Sequence, residues 1–219
     1  MKLLLFGAPG SGKSTQGDFL HERFGVPKIS TGDILREEQR RGTRLGKLAD
    51  GAIHDGRLVD DEVMIGIIQN RLKEPDCQSG YLLDGFPRTL AQAEALEKVI
   101  KAEGGHFDRV LYLSVPAEEL VERLSNRLVC PQDGQTYNLL FHPPKVAGIC
   151  DRDGTPLIRR EDDSPETARR RIEVYLRDTA PALDFYRRRD LVADIDGTLP
   201  IQQVHELIEN AVLEGIHRR

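Results

Sequence analysis

The stretch GAPGSGKST, residues 7–15, restricts the possible folds of this chain more than any other. It fits the spacing G-x-x-x-x-G-K-[ST], with Gly7, Gly12, Lys13 and Ser14 in the four fixed positions. The apolar run KLLLF precedes it, and the helical pattern STQGDFLHERF follows it. Between a strand and a helix, successive backbone N–H groups can turn towards a polyphosphate, and Lys13 adds a full positive charge. The stretch therefore predicts a bound nucleoside triphosphate.

Further short apolar runs predict an α/β fold. The runs YLLD (81–84), VLYLSV (110–115) and LVADI (191–195) have the length of buried strands and alternate with helical patterns. One such pattern is DDEVMIGIIQNRL, at 60–72, which has apolar residues at helical spacing. We therefore expect a P-loop NTPase core, in which helices flank a parallel sheet. Asp84 ends the run YLLD, where it could act with Ser14 on magnesium or its waters.

Two other segments have recognisable local signals. In SPETARRRIEVYL, Ser164 suits an N-cap and Pro165 the first helical position. Residues 129–159 have no helical period and contain Asp-Gly pairs at 133–134 and 153–154, which suit hairpin turns. We expect this second segment to form a small β-ribbon inserted into the core.

Composition and charge indicate which classes of binding partner are unsuited to this chain. The net charge of -5 argues against a nucleic-acid or membrane-surface binder in bulk. The apolar start of the chain is too short for a signal peptide or a membrane span, and three cysteines do not form a disulfide framework, so we expect a cytoplasmic protein. A kinase for a small acceptor needs cations around both nucleotides, and arginines are available at positions 36, 88, 123, 127, 160 and 171.

Taken together, these motifs resemble the bacterial adenylate kinases with a long lid. The stretches STGDILR, GRLVDDEV, GYLLDGFPRTLAQA, NRLVCPQDGQTYNLLFHPPK, RREDDSPETARRR and DIDGT follow the phosphate loop in the order and near the spacing of that family. The resemblance implies reversible phosphoryl transfer from Mg-ATP to AMP, giving two ADP, with a role in adenine nucleotide balance and salvage. It implies a core of residues 1–29, 60–125 and 164–219, an AMP-binding segment of residues 30–59 and a lid of residues 126–163. A monomer without nucleic-acid or membrane partners is also implied.

The resemblance carries over functional residues position by position. The ATP site would comprise Gly10, Ser11, Gly12, Lys13, Ser14, Thr15, Arg123, Arg127, Thr136, Tyr137 and Leu199. The AMP site would comprise Thr31, Arg36, Arg57, Leu58, Val59, Gly85, Phe86, Pro87, Arg88, Gln92, Arg160 and Arg171. The catalytic groups would be Lys13, Arg88, Arg123, Arg127, Arg160 and Arg171. The Gln92 amide can pair with an adenine edge as donor and acceptor together, and Asp162 and Asp163 would govern lid closure.

The implied lid contains a candidate metal site. Cys130 with Asp133, and Cys150 with Asp153, form two C-x-x-D pairs on successive turns. Zinc-binding relatives use four cysteines, or three and an aspartate, at these positions, whereas metal-free relatives have hydrogen-bonding polar residues there. Asp-Gly also makes good turns in a metal-free knot. Two neighbouring carboxylates without a cation would repel each other, so we favour structural zinc.

Two rival functions remain open at this point. A UMP or CMP kinase would use the same chemistry, although Thr31 and Gln92 favour adenine. A P-loop switch protein would sense ATP without any acceptor, and the arginines of GFPRT and of the lid would then have no role.

Overall fold

The computed structural model describes residues 1–217 and contains both strands and helices. The strands are β1 (Lys2–Phe6), β2 (Lys28–Ser30), β3 (Tyr81–Asp84), β4 (Arg109–Ser114), β5 (Arg127–Val129), β6 (Thr136–Asn138) and β7 (Val192–Asp196). The helices are α1 (Lys13–Phe24), α2 (Thr31–Arg40), α3 (Arg44–His54), α4 (Asp61–Leu72), α5 (Leu90–Ala102), α6 (Ala117–Ser125), α7 (Pro165–Val174), α8 (Ala180–Arg187) and α9 (Ile201–His217).

Within residues 1–217, a parallel sheet of five strands runs in the order β2-β3-β1-β4-β7. Each neighbouring pair is parallel, with Leu4 of β1 opposite Leu83 of β3 and Val110 of β4. Successive residues of β1 point to opposite faces, so that Leu3 and Leu4 belong to two different apolar clusters. Helices α4, α5 and α8 cover one face, and α1 and α9 cover the other. The predicted α/β fold with a parallel sheet flanked by helices is confirmed.

Strand positions agree with the sequence prediction where the apolar run is long. β1 and β3 have the predicted bounds, whereas β4 begins and ends one residue before the predicted 110–115. β7 begins and ends one residue after the predicted 191–195. The edge strand β2 was not predicted, because three residues beside Pro27 are too short to give an alternating pattern.

Helix α7 begins as predicted and ends earlier than predicted. The Ser164 Oγ accepts a hydrogen bond from the Thr167 N–H at 3.2 Å, and Pro165 is the first helical residue. The pattern predicted helix to residue 176, but α7 ends at Val174 and a π-helical turn, Tyr175–Thr179, joins it to α8. Pro181 has no N–H with which to continue regular helical bonding through this turn, which accounts for the change.

The predicted ribbon is present and begins earlier than expected. β5 and β6 pair antiparallel, with Arg127 opposite Asn138, so the ribbon starts two residues before position 129. Single bridges from Val129 to Ile158 and from Ile149 to Pro156 extend it. The ribbon therefore stands apart from the sheet as a small unit of its own.

Across the described part of the chain, there is no helix with the length and apolar character needed to cross a membrane.

Candidate active site

The phosphate loop joins β1 to α1 with the backbone geometry that its glycines allow. Gly10 and Gly12 have φ angles of +87° and +94°, which L side chains rarely adopt. A Cβ at Gly10 would also lie 3.0 Å from the Cγ of Leu124. Gly12 precedes α1 and provides no side-chain cap, so the first N–H groups of the helix remain available to an anion.

Lys13 lies beneath this loop in a cationic environment. Its Nζ donates hydrogen bonds to the carbonyl oxygens of Gly7 and Ala8, at 2.7 and 2.9 Å. The pKa of Lys13 is lowered to about 8, chiefly because burial disfavours the charged amine; Asp84 opposes the shift, and nearby arginines add to it. The negative charge of an anionic ligand beside Nζ would raise the pKa of Lys13 again. The loop is therefore suited to bind a polyphosphate.

Two oxygen ligands suited to magnesium stand at the same edge of the sheet. Asp84 is the last residue of β3 and is only 5% exposed. The Ser14 Oγ lies 3.4 Å from the Asp84 Oδ2. Hydroxyl and carboxylate oxygens are ligands that Mg²⁺ accepts directly or through water, so this pair fits the ion implied by the sequence.

Arginines from separate elements converge on the same cavity, whose volume is about 490 Å³. Burial, reinforced by repulsion from other arginines, lowers the pKa of Arg88 to about 10 and that of Arg160 to about 9. The Arg160 Nε is buried and has no hydrogen-bond partner among residues 1–217. Guanidinium groups that repel one another in a buried cavity indicate an anionic ligand of high charge. The arginines that line the cavity are Arg36, Arg57, Arg88, Arg123, Arg127, Arg160 and Arg171.

An acidic pair partly balances these cations. Arg127 forms a bidentate pair with Asp163, with Nε and Nη2 at 2.7 and 2.5 Å from its two carboxylate oxygens. The Arg171 Nη1 lies 2.9 Å from Asp162 and 3.0 Å from Asp163. Asp162 and Asp163 thus link Arg127, in the first strand of the ribbon, to Arg171 in α7. These contacts fix the two arginines relative to each other.

Nearly all the nucleotide-site residues expected from the sequence line this one cavity. The exception is Phe86, which does not line the cavity and whose side chain is packed in the core, where it is 2% exposed. The residues on the wall are Gly10, Ser11, Gly12, Lys13, Ser14, Thr15, Thr31, Arg36, Arg57, Leu58, Val59, Asp84, Gly85, Pro87, Arg88, Gln92, Arg123, Arg127, Thr136, Tyr137, Arg160, Arg171 and Leu199.

At one end of the cavity, Arg123 is held by two contacts. Its Nη2 lies 2.6 Å from Glu119 and donates to the Gly197 carbonyl at 2.8 Å. Its guanidinium carbon lies 5.2 Å from the ring centroid of Phe141. A flat cation beside an aromatic ring forms a wall against which a base could stack.

At the other end, Thr31 and Gln92 are buried polar residues with defined partners. The Thr31 Oγ1 donates to the Gly85 carbonyl at 2.9 Å. The Gln92 amide oxygen accepts from the Arg88 N–H, and its nitrogen donates to Asp61, each at 2.7 Å. This end has both donor and acceptor groups of fixed orientation.

Several residues of the cavity were missed by sequence analysis. Phe141 and Asn138 line it, and Asp61 contacts Gln92 from α4. Phe141 is half exposed, and an aromatic residue in a ribbon without a helical period gives no signal that separates it from ordinary surface. Tyr137 was predicted and lines the cavity, but its hydroxyl is turned to the ribbon, where it accepts from the Asp151 N–H at 2.8 Å.

The ribbon gathers the four residues of the predicted metal site. One ligand atom from each of Cys130, Asp133, Cys150 and Asp153 lies within 4.8 Å of all the others. In each turn one carboxylate oxygen accepts the N–H two residues later, in Gln135 and Thr155, at 2.8 and 2.9 Å. The second oxygen of each aspartate faces a cysteine sulfur, at 4.0 Å for Asp133 and 3.4 Å for Asp153. Two sulfur and two oxygen ligands fit a four-coordinate zinc ion.

The fold and the cavity define a phosphotransferase of the P-loop class, because a phosphate loop and a second group of cations line the same cavity. The family model for adenylate kinase matches residues 5–191. Curated adenylate kinases of similar sequence include that of Archaeoglobus fulgidus, 47% identical over 99% of both chains, and that of Bacillus subtilis, 48% identical over 100% of both chains. That of Moorella thermoacetica is 48% identical over 93% of this chain and 94% of its own.

The chain belongs to the adenylate kinase family, whose enzymes transfer a phosphoryl group from ATP to AMP to give ADP. It is therefore an enzyme, and the resemblance that the sequence motifs indicated is confirmed.

Proposed function

We propose that the protein catalyses reversible phosphoryl transfer from Mg-ATP to AMP, giving two ADP, inside the 490 Å³ cavity. One observation carries this proposal: cations from the phosphate loop, from α2 and from the ribbon side converge between two ends that each suit a base. Direct in-line transfer needs positioning and charge neutralisation rather than a protein base. The reaction sustains adenine nucleotide balance and salvage.

On the ATP side, the backbone of Gly10–Thr15 binds the phosphates and Lys13 follows the transferred group. The buried, depressed pKa of Lys13 supports this role, since a phosphate restores its charge. Arg123 stacks on the adenine, Arg127 contacts the phosphates, and the backbone near Thr136, Tyr137 and Leu199 completes the pocket. Tyr137 contributes its backbone only, because its hydroxyl is bonded within the ribbon.

On the AMP side, arginines bind the phosphate and polar residues bind the base. Arg36 and Arg88 hold the phosphate, and Thr31 and Gln92 contact the adenine. The remaining wall is formed by Arg57, Leu58, Val59, Gly85 and Pro87, which all line the cavity. We withdraw Phe86 as a contacting side chain, since it is buried in the core.

Ser14 and Asp84 would hold magnesium, directly or through water, and the ion would neutralise charge on the phosphates. The protein's own contribution there is to fix two oxygen ligands at the carboxyl end of β3.

We assign residues 30–59 to a hinged AMP-binding segment, residues 126–163 to a lid, and residues 1–29, 60–125 and 164–219 to the core. Arg160 and Arg171 reach the transferred phosphoryl group when the lid closes, and Asp162 and Asp163 govern closure through Arg127 and Arg171. The short ion pairs among these residues support this assignment.

The lid also binds one structural zinc ion through Cys130, Asp133, Cys150 and Asp153. The mutual distance of their ligand atoms, within 4.8 Å, supports one site that these four residues would share. The ion would stabilise the lid and take no part in phosphoryl transfer, because none of its four ligands lines the cavity.

We further propose a cytoplasmic monomer without nucleic-acid or membrane partners. The three thiols are free, as is usual in a reducing compartment. All the residues assigned to the two nucleotides come from one chain, so the site needs no second subunit.

The test is ADP formation from ATP with AMP, UMP or CMP as acceptor. We expect rapid ADP formation with AMP only. Preference for UMP or CMP would replace this assignment by a pyrimidine nucleotide kinase. Slow ATP hydrolysis that no monophosphate accelerates would indicate a switch protein instead.

A further inference from the structure

The amide of Gln92 is held at both ends by groups that cannot exchange roles. Its Oε1 accepts the Arg88 backbone N–H and its Nε2 donates to the Asp61 Oδ1, each at 2.7 Å. The other oxygen of Asp61 accepts from the Thr89 hydroxyl at 2.8 Å. Turning the amide over would set NH₂ against N–H and oxygen against carboxylate. Gln92 is 2% exposed, so water does not relieve either mismatch.

The neighbouring polar residue is fixed in the same way. Thr31 is 1% exposed, and its hydroxyl donates to the Gly85 carbonyl at 2.9 Å. Because a carbonyl only accepts, the Thr31 oxygen can only accept a hydrogen bond from a ligand. At this end of the cavity, the positions of the hydrogen-bond donors and acceptors of Thr31 and Gln92 are therefore fixed.

Purine nucleotides differ in the pattern that they require. A 6-aminopurine has a donor at its 6-amino group and an acceptor at N1, whereas a 6-oxopurine has an acceptor at O6 and a donor at N1. A glutamine amide that could turn over would serve both. An amide of fixed orientation that pairs with the 6-aminopurine would set its oxygen against O6 of the 6-oxopurine and its NH₂ group against the N1–H.

We propose that Asp61 is a positioning residue which, by fixing the Gln92 amide, selects 6-aminopurine over 6-oxopurine monophosphates as acceptor. This inference rests on the AMP site proposed above. Asp61 acts through Gln92 and needs no contact with the nucleotide. It is suited to this because an ionised carboxylate accepts hydrogen bonds and cannot donate them.

The test compares kcat/KM for AMP with kcat/KM for inosine monophosphate, which differs from AMP at these two positions of the base. A site of fixed polarity should favour AMP by about 10⁴-fold. In Asp61→Ala the ratio should fall by about tenfold or more, while the KM for ATP stays unchanged. Asp61→Asn can present either an oxygen or an NH₂ group to Gln92, so its ratio should lie between those of the wild type and Asp61→Ala. Glu62→Ala removes an exposed carboxylate from the same turn of α4 and should leave the ratio unchanged.

An equal loss of activity towards both nucleotides in Asp61→Ala would overturn the inference, since that is what a merely structural residue would cause. If the alanine variant does not fold, Asp61→Ser provides the comparison, because its shorter side chain does not span the 2.7 Å contact. Failure of the wild-type enzyme to form ADP from ATP and AMP would refute the proposed function; wild-type activity with an unmoved ratio would refute this inference alone.

Discussion

At the residue scale, the cavity is built from cations whose charge the protein itself disfavours. Burial lowers the pKa of Lys13, Arg88 and Arg160, and repulsion from nearby arginines lowers each pKa further. A polyphosphate removes both penalties at once, because it supplies negative charge and hydrogen-bond acceptors within the same low-dielectric space. The binding of anionic substrate and the stabilisation of its transferring group therefore have one physical origin.

The Arg88→Ala variant should lose phosphoryl transfer while it keeps its fold. Arg88 donates from Nε to the Gly85 carbonyl at 2.8 Å and is directed into the cavity, so its removal leaves developing charge without a donor. The expected loss is about 3 to 4 kcal/mol of transition-state stabilisation, a hundredfold to thousandfold in kcat. Steady-state kinetics with saturating ATP and AMP measures it.

Arg188→Ala is the matched control, since Arg188 is exposed after the end of α8 and does not line the cavity. It should retain wild-type turnover. If the kcat of Arg88→Ala is within a few-fold of the wild-type value, Arg88 does not belong to the catalytic site.

ATP binding should take up a proton as the pH rises above about 8. Free Lys13 has a pKa of about 8, and bound phosphates raise that pKa, so the complex holds a proton that the free enzyme has lost. Below pH 8 the amine is charged in both states and ATP affinity is independent of this group. Above it, the dissociation constant should rise by up to about tenfold for each pH unit.

Calorimetric titration of ATP in buffers of different ionisation enthalpy measures this uptake. We expect a value near zero at about pH 7 and roughly three quarters of a proton at about pH 8.5. The Lys13→Met variant should show no uptake from this group. A wild-type enzyme with the same value at both pH values would contradict the assignment.

Individual residues mark the limit of prediction from sequence. Position within a motif indicated Lys13, Arg88 and Gln92, because the phosphate loop and GFPRT have fixed spacing. The contact of Asp61 with Gln92 joins positions 31 residues apart and depends on how α4 packs against α5. A single sequence contains no periodic signal for such a contact.

At the element scale, burial on both faces made the central strands predictable. β1 and β3 are continuous apolar runs because helices cover both sides of the sheet. The edge strand β2 has no such run, and the π-helical turn Tyr175–Thr179 arises from the junction of two helices rather than from any local pattern. The ribbon was predicted from its Asp-Gly turns, whose Gly134 and Gly154 both have positive φ.

The proposed lid zinc should account for much of the stability of the ribbon. The small apolar cluster there comprises Leu128, Cys130, Tyr137 and Cys150, with Leu157 packed against it, which is little apolar area for an independent unit. We expect about one zinc per chain in protein purified without a histidine tag, and a lower unfolding temperature after chelation. Elemental analysis and thermal unfolding measure these two quantities.

Cys130→Ser should lose the metal, whereas the matched Cys77→Ser should keep it, because Cys77 is buried far along the chain beside Arg71. If the protein contains no metal and its unfolding temperature does not change with chelator, hydrogen bonds rather than a metal ion hold the ribbon together. The kinase assignment would be unaffected.

At the scale of the whole molecule, the site exists only because separate parts of the chain close around one cavity. Arg36 comes from α2, Arg88 follows β3, and Arg160 follows the ribbon, yet Arg36 lowers the pKa of both Arg88 and Arg160 through space. The family resemblance predicted this convergence, whereas composition and periodicity could not, since they describe each segment separately.

Residues of the proposed core, of the segment 30–59 and of the segment 126–163 all line the cavity. The two nucleotides should therefore stabilise the whole protein against unfolding. Each ligand that binds only the folded state adds about 2.7 kcal/mol at a concentration of 100 times its Kd. For a chain of 219 residues this corresponds to a rise of about 5–10 °C in unfolding temperature. A non-hydrolysable ATP analogue and AMP should each raise the temperature, and both together should raise it further than either alone, since the two occupy different parts of the cavity. In Arg88→Ala the AMP-dependent rise should largely disappear while the rise with the ATP analogue remains. If AMP produced no shift in the wild-type protein, residues 30–59 and the arginines facing them would not form an acceptor site.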